Sequence, residues 1–444
     1  MYGDYEAQRH WMEITTALPM TEWYENSTRN DLLYWGLDYP PLTAYHSLVL
    51  GAAGHRLVPE CFLLYSSRGH ESLGCRSFMR ASVIISDLFV YFPGAFWAVH
   101  AFAAERERAA VRILAVLLFW SLPPLVLIDH GHFQYNGVCF GLCLASAGFV
   151  ARGRIVMASV LFTSGLLFKQ IALYYAPAFF FGILALHFHR ADSFVSAILG
   201  VLSTGIVVLG TVVVIFLPWL TAPLSPAAAG QVLHRMFPFA RGLYEDKVAN
   251  VWCSISIVIK LHRLLSPKYV PAVCAMVTLL ALLPGCAYCL CTRCNHRATF
   301  AASLICSSMA FFLFAFQVHE KSILFPCVAA CLLPIAVGPE KRPSWTGAAL
   351  CHLLLAGTFS MYPLVVKDKL QAAYIAACVS LVLACEACPS PRTFRVVFRS
   401  CYVGGLLLHA IHALAPRPQR YPDAWTLLIT GSSCGYFVLV LLLV

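Results

Sequence analysis

A chain of 444 residues has the length of about two or three soluble domains. However, 60% of it is hydrophobic and only 12% charged, against roughly a quarter charged in soluble proteins, and its mean hydropathy is +0.74. This excludes an ordinary soluble enzyme and implies one polytopic membrane domain. The net charge of +10 is scattered over short loops, where basic residues set membrane orientation, so no nucleic-acid partner is implied.

The amino-terminal segment is the polar exception. Residues 1–76 read as a loop with juxtamembrane helices, and 77–444 as a multi-span domain. The loop carries GDYEAQRHW at 3–11 and WGLDYPPLTAY at 35–45. Between them, Asn26-Ser27-Thr28 is an acceptor pattern for N-glycosylation. No secretory signal or spanning helix precedes Tyr2.

Thirteen apolar segments follow, each near the ~20 residues a bilayer requires. They lie at 81–103, 111–128, 136–151, 155–168, 170–188, 193–217, 270–291, 298–317, 322–338, 344–366, 371–388, 394–414 and 424–443. The fold class expected is all-α, and Pro93, Pro123 and Pro177 predict buried or broken helices within it. Most of the 19 cysteines fall inside these runs, where cysteine acts as a small hydrophobe. Cys291, Cys294 and His296 resemble part of a zinc site, but no second ligand pair follows at finger-like spacing, and a cytoplasmic turn is expected.

The connecting loops form two alternating sets. One contains Arg106, Arg108 and Arg112, then Arg152 and Arg154, and later Arg293, Arg297, Arg392 and Arg395. Short basic loops of this kind mark the cytoplasmic side. The other set holds the polar strings: DHGHFQYN at 129–136, Lys169 and Gln170, GLYEDKVANVWC at 242–253 and FQVHEKS at 316–322. A site built from these strings lies on the non-cytoplasmic side.

The strings at 3–11, 35–45, 129–136, 242–253 and 316–322 resemble those of a family of lipid-dependent sugar transferases, and the chemistry that this resemblance implies is as follows. No glycine-rich phosphate loop and no acidic metal-binding triplet in a soluble domain are present, so a nucleotide sugar is not the expected donor. A sugar carried on a lipid phosphate needs neither. Its phosphate is a good leaving group that requires no general acid, unlike the alkoxide of a glycoside. One base for the acceptor hydroxyl and cationic donors for the phosphate complete the inventory. Asp4 is the candidate base, and its competing reading is a first-turn carboxylate that stabilises a helix beginning near Glu6. Glu6 is the reserve base, while Arg9 and His10 join the substrate-binding set. Asp38 in LDYPP either supports a turn or touches substrate.

His130 and His132 lack a third ligand for a metal, so His132 and Gln134 are expected to hydrogen-bond sugar or phosphate. Lys169 either snorkels to the interface or contacts ligand. Glu245, Asp246 and Lys247, and His319, Glu320 and Lys321, are charges that either pair internally or meet the phosphate; His319 is the preferred phosphate contact.

These five strings, in order, resemble the dolichyl-phosphate-glucose-dependent alpha-1,3-glucosyltransferases of the endoplasmic reticulum. Within that family GDYEAQ and WGLDYPPLTAY match best the branch that adds the first glucose to lipid-linked Man9GlcNAc2. A branch adding the second glucose shares HFQYN and DYPP. After about residue 340 the likeness is one of hydropathy only. The resemblance implies the membrane-embedded GT-C type of fold, with the catalytic aspartate at Asp4. It implies transfer of glucose with inversion, without cofactor or metal. The implied partners are dolichyl-phosphate glucose, the lipid-linked oligosaccharide and membrane lipids, at a site facing the lumen. Family members mostly carry tyrosine where His130 stands. They also have a membrane helix ahead of the first loop, so a truncated amino terminus is expected here. A secondary transporter, or a non-catalytic lipid scaffold, is the alternative class; no internal repeat favours the transporter.

Overall fold

The computed structural model describes residues 3–221, 226–237, 247–256, 259, 266, 268–292, 296–416 and 418–444. Among them the regular structure is helical, with no strand. Two helices precede the apolar region, α1 (Gly3–Ala17) and α2 (Pro41–Leu57). The membrane-length helices and their shorter apolar partners follow as α3 (Leu73–Phe102), α4 (Ala109–His130), α5 (Asn136–Ala151), α6 (Ile155–Phe168), α7 (Gln170–Arg190) and α8 (Phe194–Leu220). After α9 (Pro226–Met236) come α10 (Val270–Cys291), α11 (His296–Phe314), α12 (Glu320–Val337), α13 (Thr346–Ser360), α14 (Gln371–Ala387), α15 (Arg392–Leu414) and α16 (Ala424–Leu443). Among the described residues nine of these are long and apolar enough to cross a membrane, and α5, α6, α13 and α14 are shorter. Together they match the thirteen segments expected from the sequence, and the chain is a multi-pass membrane protein. Helix α3 begins earlier than its hydropathy suggests, because the Ser72 side chain accepts from Cys75 N at 3.1 Å and caps an amphipathic first turn.

The helices group into two compact units. The first comprises residues 1–101, 132–173 and 186–240. Its core is built on α1, where Ala7, Trp11, Ile14 and Leu18 recur at helical spacing and pack with Trp23, Tyr24, Leu37, Leu167, Phe216 and Trp219. Helices α3 and α5 approach so closely that a Cβ on Gly141 would lie 2.4 Å from Val90 O, and one on Gly94 2.2 Å from Gly141 O. Only glycine permits that crossing. A polyproline turn, Pro40-Pro41, starts α2 with proline at its first position.

The second unit comprises residues 102–131, 174–185 and 241–444. Helices α11 and α12 are its interior, with 67% and 78% of their apolar windows buried; α10 and α16 pack on α11, and α13 packs on α14 and α16. The buried Glu107 carboxylate is paired with Arg342, which explains how one loop of this unit tolerates a buried charge. Cys294 of the zinc-like string lies outside the described residues.

Candidate functional site

Helix α1 starts at Gly3, so Asp4 and Glu6 both occupy its first turn. A carboxylate there is favoured by the helix dipole. The two nevertheless have different surroundings.

Asp4 projects from the end of α1 and its side chain keeps 28% of its exposure. Two groups of the string at 129–136 converge on its Oδ2. Gln134 Nε2 donates at 2.5 Å, and His132 Nε2 lies 3.1 Å away. Both come from one short stretch because Phe133 between them has φ +69°, a strained conformation for an aromatic residue. Tyr5 meets the Phe133 ring edge-on at 5.0 Å, while Tyr135 turns away to bond Ser82 Oγ at 2.6 Å. Behind Gln134 stands Lys169. Its Nζ donates to Gln134 Oε1 at 2.6 Å and to Asn136 Oδ1 at 2.5 Å, and it sits 4.7 Å from the centre of the Tyr39 ring. The lysine reaches inward because it caps α6 in extended conformation, φ −145° and ψ 119°.

The sequence strings at 3–11, 35–45 and 169–170 are thus brought together with residues 132–136 in the first unit. Asp38 lies beside the same cluster, partly buried, and its backbone carbonyl accepts from Gln170 Nε2 at 3.3 Å.

Glu6, Arg9 and His10 form a second cluster, on the closed side of α1. Arg9 is fully buried. Its guanidinium forms a two-pronged bond to Glu6, at 2.8 and 2.6 Å, and donates through NH1 to Glu13 Oε2, Cys61 O and Ser67 Oγ at 2.7–2.8 Å. Glu6 Oε1 also accepts from Tyr34 Oη and Gly69 N, at 2.8 and 3.1 Å. His10 is buried edge-on against Tyr34, with its Nδ1 3.4 Å from Glu13 Oε2. Burial alone would raise the Glu13 carboxyl, but the adjacent His10 ring and the Arg9 guanidinium hold it down at about 2. Burial, helped by the Glu6 carboxylate, pushes the Tyr34 phenol up to about 12. A disulfide between Cys61 and Cys75 closes this side, and Tyr5 Oη lies 3.6 Å from Cys75 Sγ.

The remaining candidates belong to the second unit. His319 caps the first turn of α12 and stays partly exposed; its Nδ1 accepts from Lys321 N at 3.3 Å and lies 3.3 Å from Glu320 Oε2. Gln317, two residues earlier, has φ +58°. Lys247 forms a surface ion pair with Asp423 at 3.3 Å. Glu245 and Asp246 lie outside the described residues. In the first unit, Asn26 is exposed, and its Oδ1 accepts from Leu32 N at 3.2 Å.

Sequence reasoning did not single out Tyr39, Glu13 or the disulfide. Glu13 was readable from its position four residues after Arg9. Cys61 and Cys75 are the only cysteines before Cys139, a spacing that sets them apart from the membrane cysteines.

The fold is that of a multi-pass membrane protein, and its family makes it a glycosyltransferase. Residues 1–443 match the model of the ALG6, ALG8 glycosyltransferase family, and the chain belongs to that family. It is 40% identical over 470 residues to a Dictyostelium discoideum protein named "Probable dolichyl pyrophosphate Man9GlcNAc2 alpha-1,3-glucosyltransferase", covering 99% of this chain and 88% of that one. Proteins of Gallus gallus and Mus musculus named "Dolichyl pyrophosphate Man9GlcNAc2 alpha-1,3-glucosyltransferase" are each 36% identical, covering 99% of this chain and 89% of theirs.

Proposed function

We propose that the chain transfers glucose from dolichyl-phosphate glucose to the terminal mannose of lipid-linked Man9GlcNAc2-diphosphodolichol, forming an alpha-1,3 linkage with inversion. The observation that carries this reading is the carboxylate of Asp4, held by hydrogen-bond donors at the accessible end of α1. Asp4 accepts the proton of the mannose 3-hydroxyl as that oxygen forms its bond to C1 of glucose. The bond from C1 to the phosphate oxygen breaks, and its electron pair leaves on dolichyl phosphate. No general acid is needed, since phosphate is already a weak base.

His132, beside Asp4, orients sugar hydroxyls. His319 donates to the departing phosphate, with Lys321, Lys247, Glu245, Asp246 and Glu320 in the substrate-binding set on the strength of the sequence strings. His319→Ala should weaken use of the donor more than use of the acceptor, because only the donor carries the phosphate; initial rates with each substrate varied in turn check this.

The protein works in the endoplasmic reticulum membrane with this site facing the lumen. Residues 1–76 form the luminal loop and its juxtamembrane helices, and 77–444 the multi-span domain. Two features of the loop support that side. Asn26 is exposed within its acceptor triplet, and Cys61 and Cys75 are bonded, as befits an oxidising compartment.

The deciding experiment offers purified protein dolichyl-phosphate glucose with two lipid-linked acceptors, one ending in mannose on the arm to be glucosylated and one already carrying glucose there. Mannose and glucose differ at C2, and a site that hydrogen-bonds that hydroxyl discriminates strongly. Transfer to the mannose-ended acceptor is expected. Transfer only to the glucosylated one would make the chain a second-glucose enzyme, and transfer to neither would favour a lipid scaffold or transporter.

A further inference from the structure

We propose that Lys169 is a positioning residue for Asp4, acting through the side-chain amide of Gln134. The inference rests on Asp4 being the base, and it gives Lys169 a task other than holding substrate.

The argument begins with donor and acceptor chemistry. An ammonium has three donors and no acceptor, and an ionised carboxylate has acceptors only. Gln134 lies between one of each, with Lys169 Nζ 2.6 Å from its Oε1 and Asp4 Oδ2 2.5 Å from its Nε2. Only one orientation of the amide satisfies both neighbours. Turned over, its oxygen would face the carboxylate and its NH2 would face the ammonium, and both contacts would become repulsive. Lys169 thereby decides that Asp4 meets a donor.

The lysine is itself tightly seated. It is 8% exposed, bonded to Asn136 Oδ1 at 2.5 Å and lies near the face of the Tyr39 ring. A lysine that merely snorkels to the interface would send its ammonium to water. Gln134 and His132 both engage Oδ2, which ties the carboxylate to the string at 132–136. The aim of a base matters, since a misplacement of about 1 Å can cost on the order of 100-fold in rate.

A double-mutant cycle tests this, using the full-length protein in detergent or nanodiscs with donor and acceptor varied in turn. Lys169→Met and Gln134→Ala are each expected to lower kcat by about 10- to 100-fold, with the donor KM within about twofold of the parent. If the lysine acts through the amide, Lys169→Met has no further effect in the Gln134→Ala background. Losses that multiply would overturn the relay. A rise in donor KM at unchanged kcat would also overturn it and make Lys169 a donor-binding residue. Should Lys169→Met fail to fold, Lys169→Ala, which also removes the donor to Gln134 Oε1, enters the same cycle and is judged by the same coupling. Asp4→Asn separates this idea from the reading beneath it. Full turnover by Asp4→Asn removes the base itself, whereas an inactive Asp4→Asn with multiplying Lys169 and Gln134 losses removes only the relay.

Discussion

Helix α1 carries two polar clusters that differ in completeness. Around Arg9, five donated bonds meet Glu6, Glu13, Ser67 and the Cys61 carbonyl with the guanidinium fully buried. Such a cluster is closed to ligand and holds the helix in place. Around Asp4, Gln134 and His132 meet Oδ2, and the carboxylate remains partly exposed. The helix therefore has a structural charge system of Glu6, Arg9 and Glu13 and, on another side of its first turn, an open one that can exchange a proton. If the comparison is correct, substitutions in the two clusters should fail in opposite ways.

The largest effect is expected at the open cluster. Asp4→Asn keeps the size of the side chain and an oxygen for Gln134, but cannot take up a proton. Turnover should fall by about 10²–10⁴, the usual contribution of a positioned base, while thermal stability and donor binding stay close to those of the parent. Near-normal turnover from folded protein would erase the distinction between the clusters.

Arg9→Met should do the reverse. It leaves Glu6 and Glu13 buried without their counter-charge, and breaking a buried pair in this way costs about 3–5 kcal/mol. The yield and melting temperature of the purified protein should drop sharply, with turnover per folded molecule less affected than in Asp4→Asn. Adding Glu6→Gln and Glu13→Gln should restore part of the stability, because the stranded charges are then gone. A triple variant less stable than Arg9→Met alone would argue that the carboxylates have another role.

How much of this was legible beforehand follows the same division. The polar strings stood out because charge is rare in so apolar a chain, and the thirteen apolar segments emerged from hydropathy alone. Spacing two residues apart puts Asp4 and Glu6 on different sides of a helix, but sequence could not say which side is closed. Only the fold brings Tyr34, Ser67 and Gly69 around Glu6 and Arg9. Nor could spacing connect Lys169 to Gln134, because a lysine at a helix end reads equally well as an interfacial anchor. What joins them is the extended cap after α6 and the left-handed turn at Phe133, neither of which has a sequence signature of its own.

The closed cluster also predicts a pH dependence. Glu13 is held at about 2 against an ordinary value of 4.5. A depressed carboxyl pKa adds stability that is present above the unfolded value and is lost as pH falls through the folded one. Melting temperature should therefore be insensitive to Glu13 near neutrality and decline from about pH 4.5 downward. The decline should be shallower in Glu13→Gln, measured against the parent under the same detergent conditions. Parallel curves would show that other carboxyls govern the acid limb.

The smallest effect is expected at Tyr34, on the rim of the closed cluster. Its hydroxyl donates to Glu6 Oε1 at 2.8 Å, but the same oxygen also accepts from Arg9 at 2.6 Å and Gly69 N at 3.1 Å. Tyr34→Phe removes one bond of three and leaves the carboxylate satisfied. The ring keeps its edge contact with His10 and its place under the Arg68 guanidinium, 4.3 Å from the ring centre. A single hydrogen bond of this kind contributes about 1 kcal/mol net, so a modest fall in melting temperature is expected and no change in kcat or either KM. The kinetic result is the sharper measurement. Tyr34 bonds Glu6 and not Asp4, so if the two clusters are separate its loss cannot reach the base. A clear drop in kcat with stability preserved would mean that the closed side of α1 sets the position of Asp4 as well.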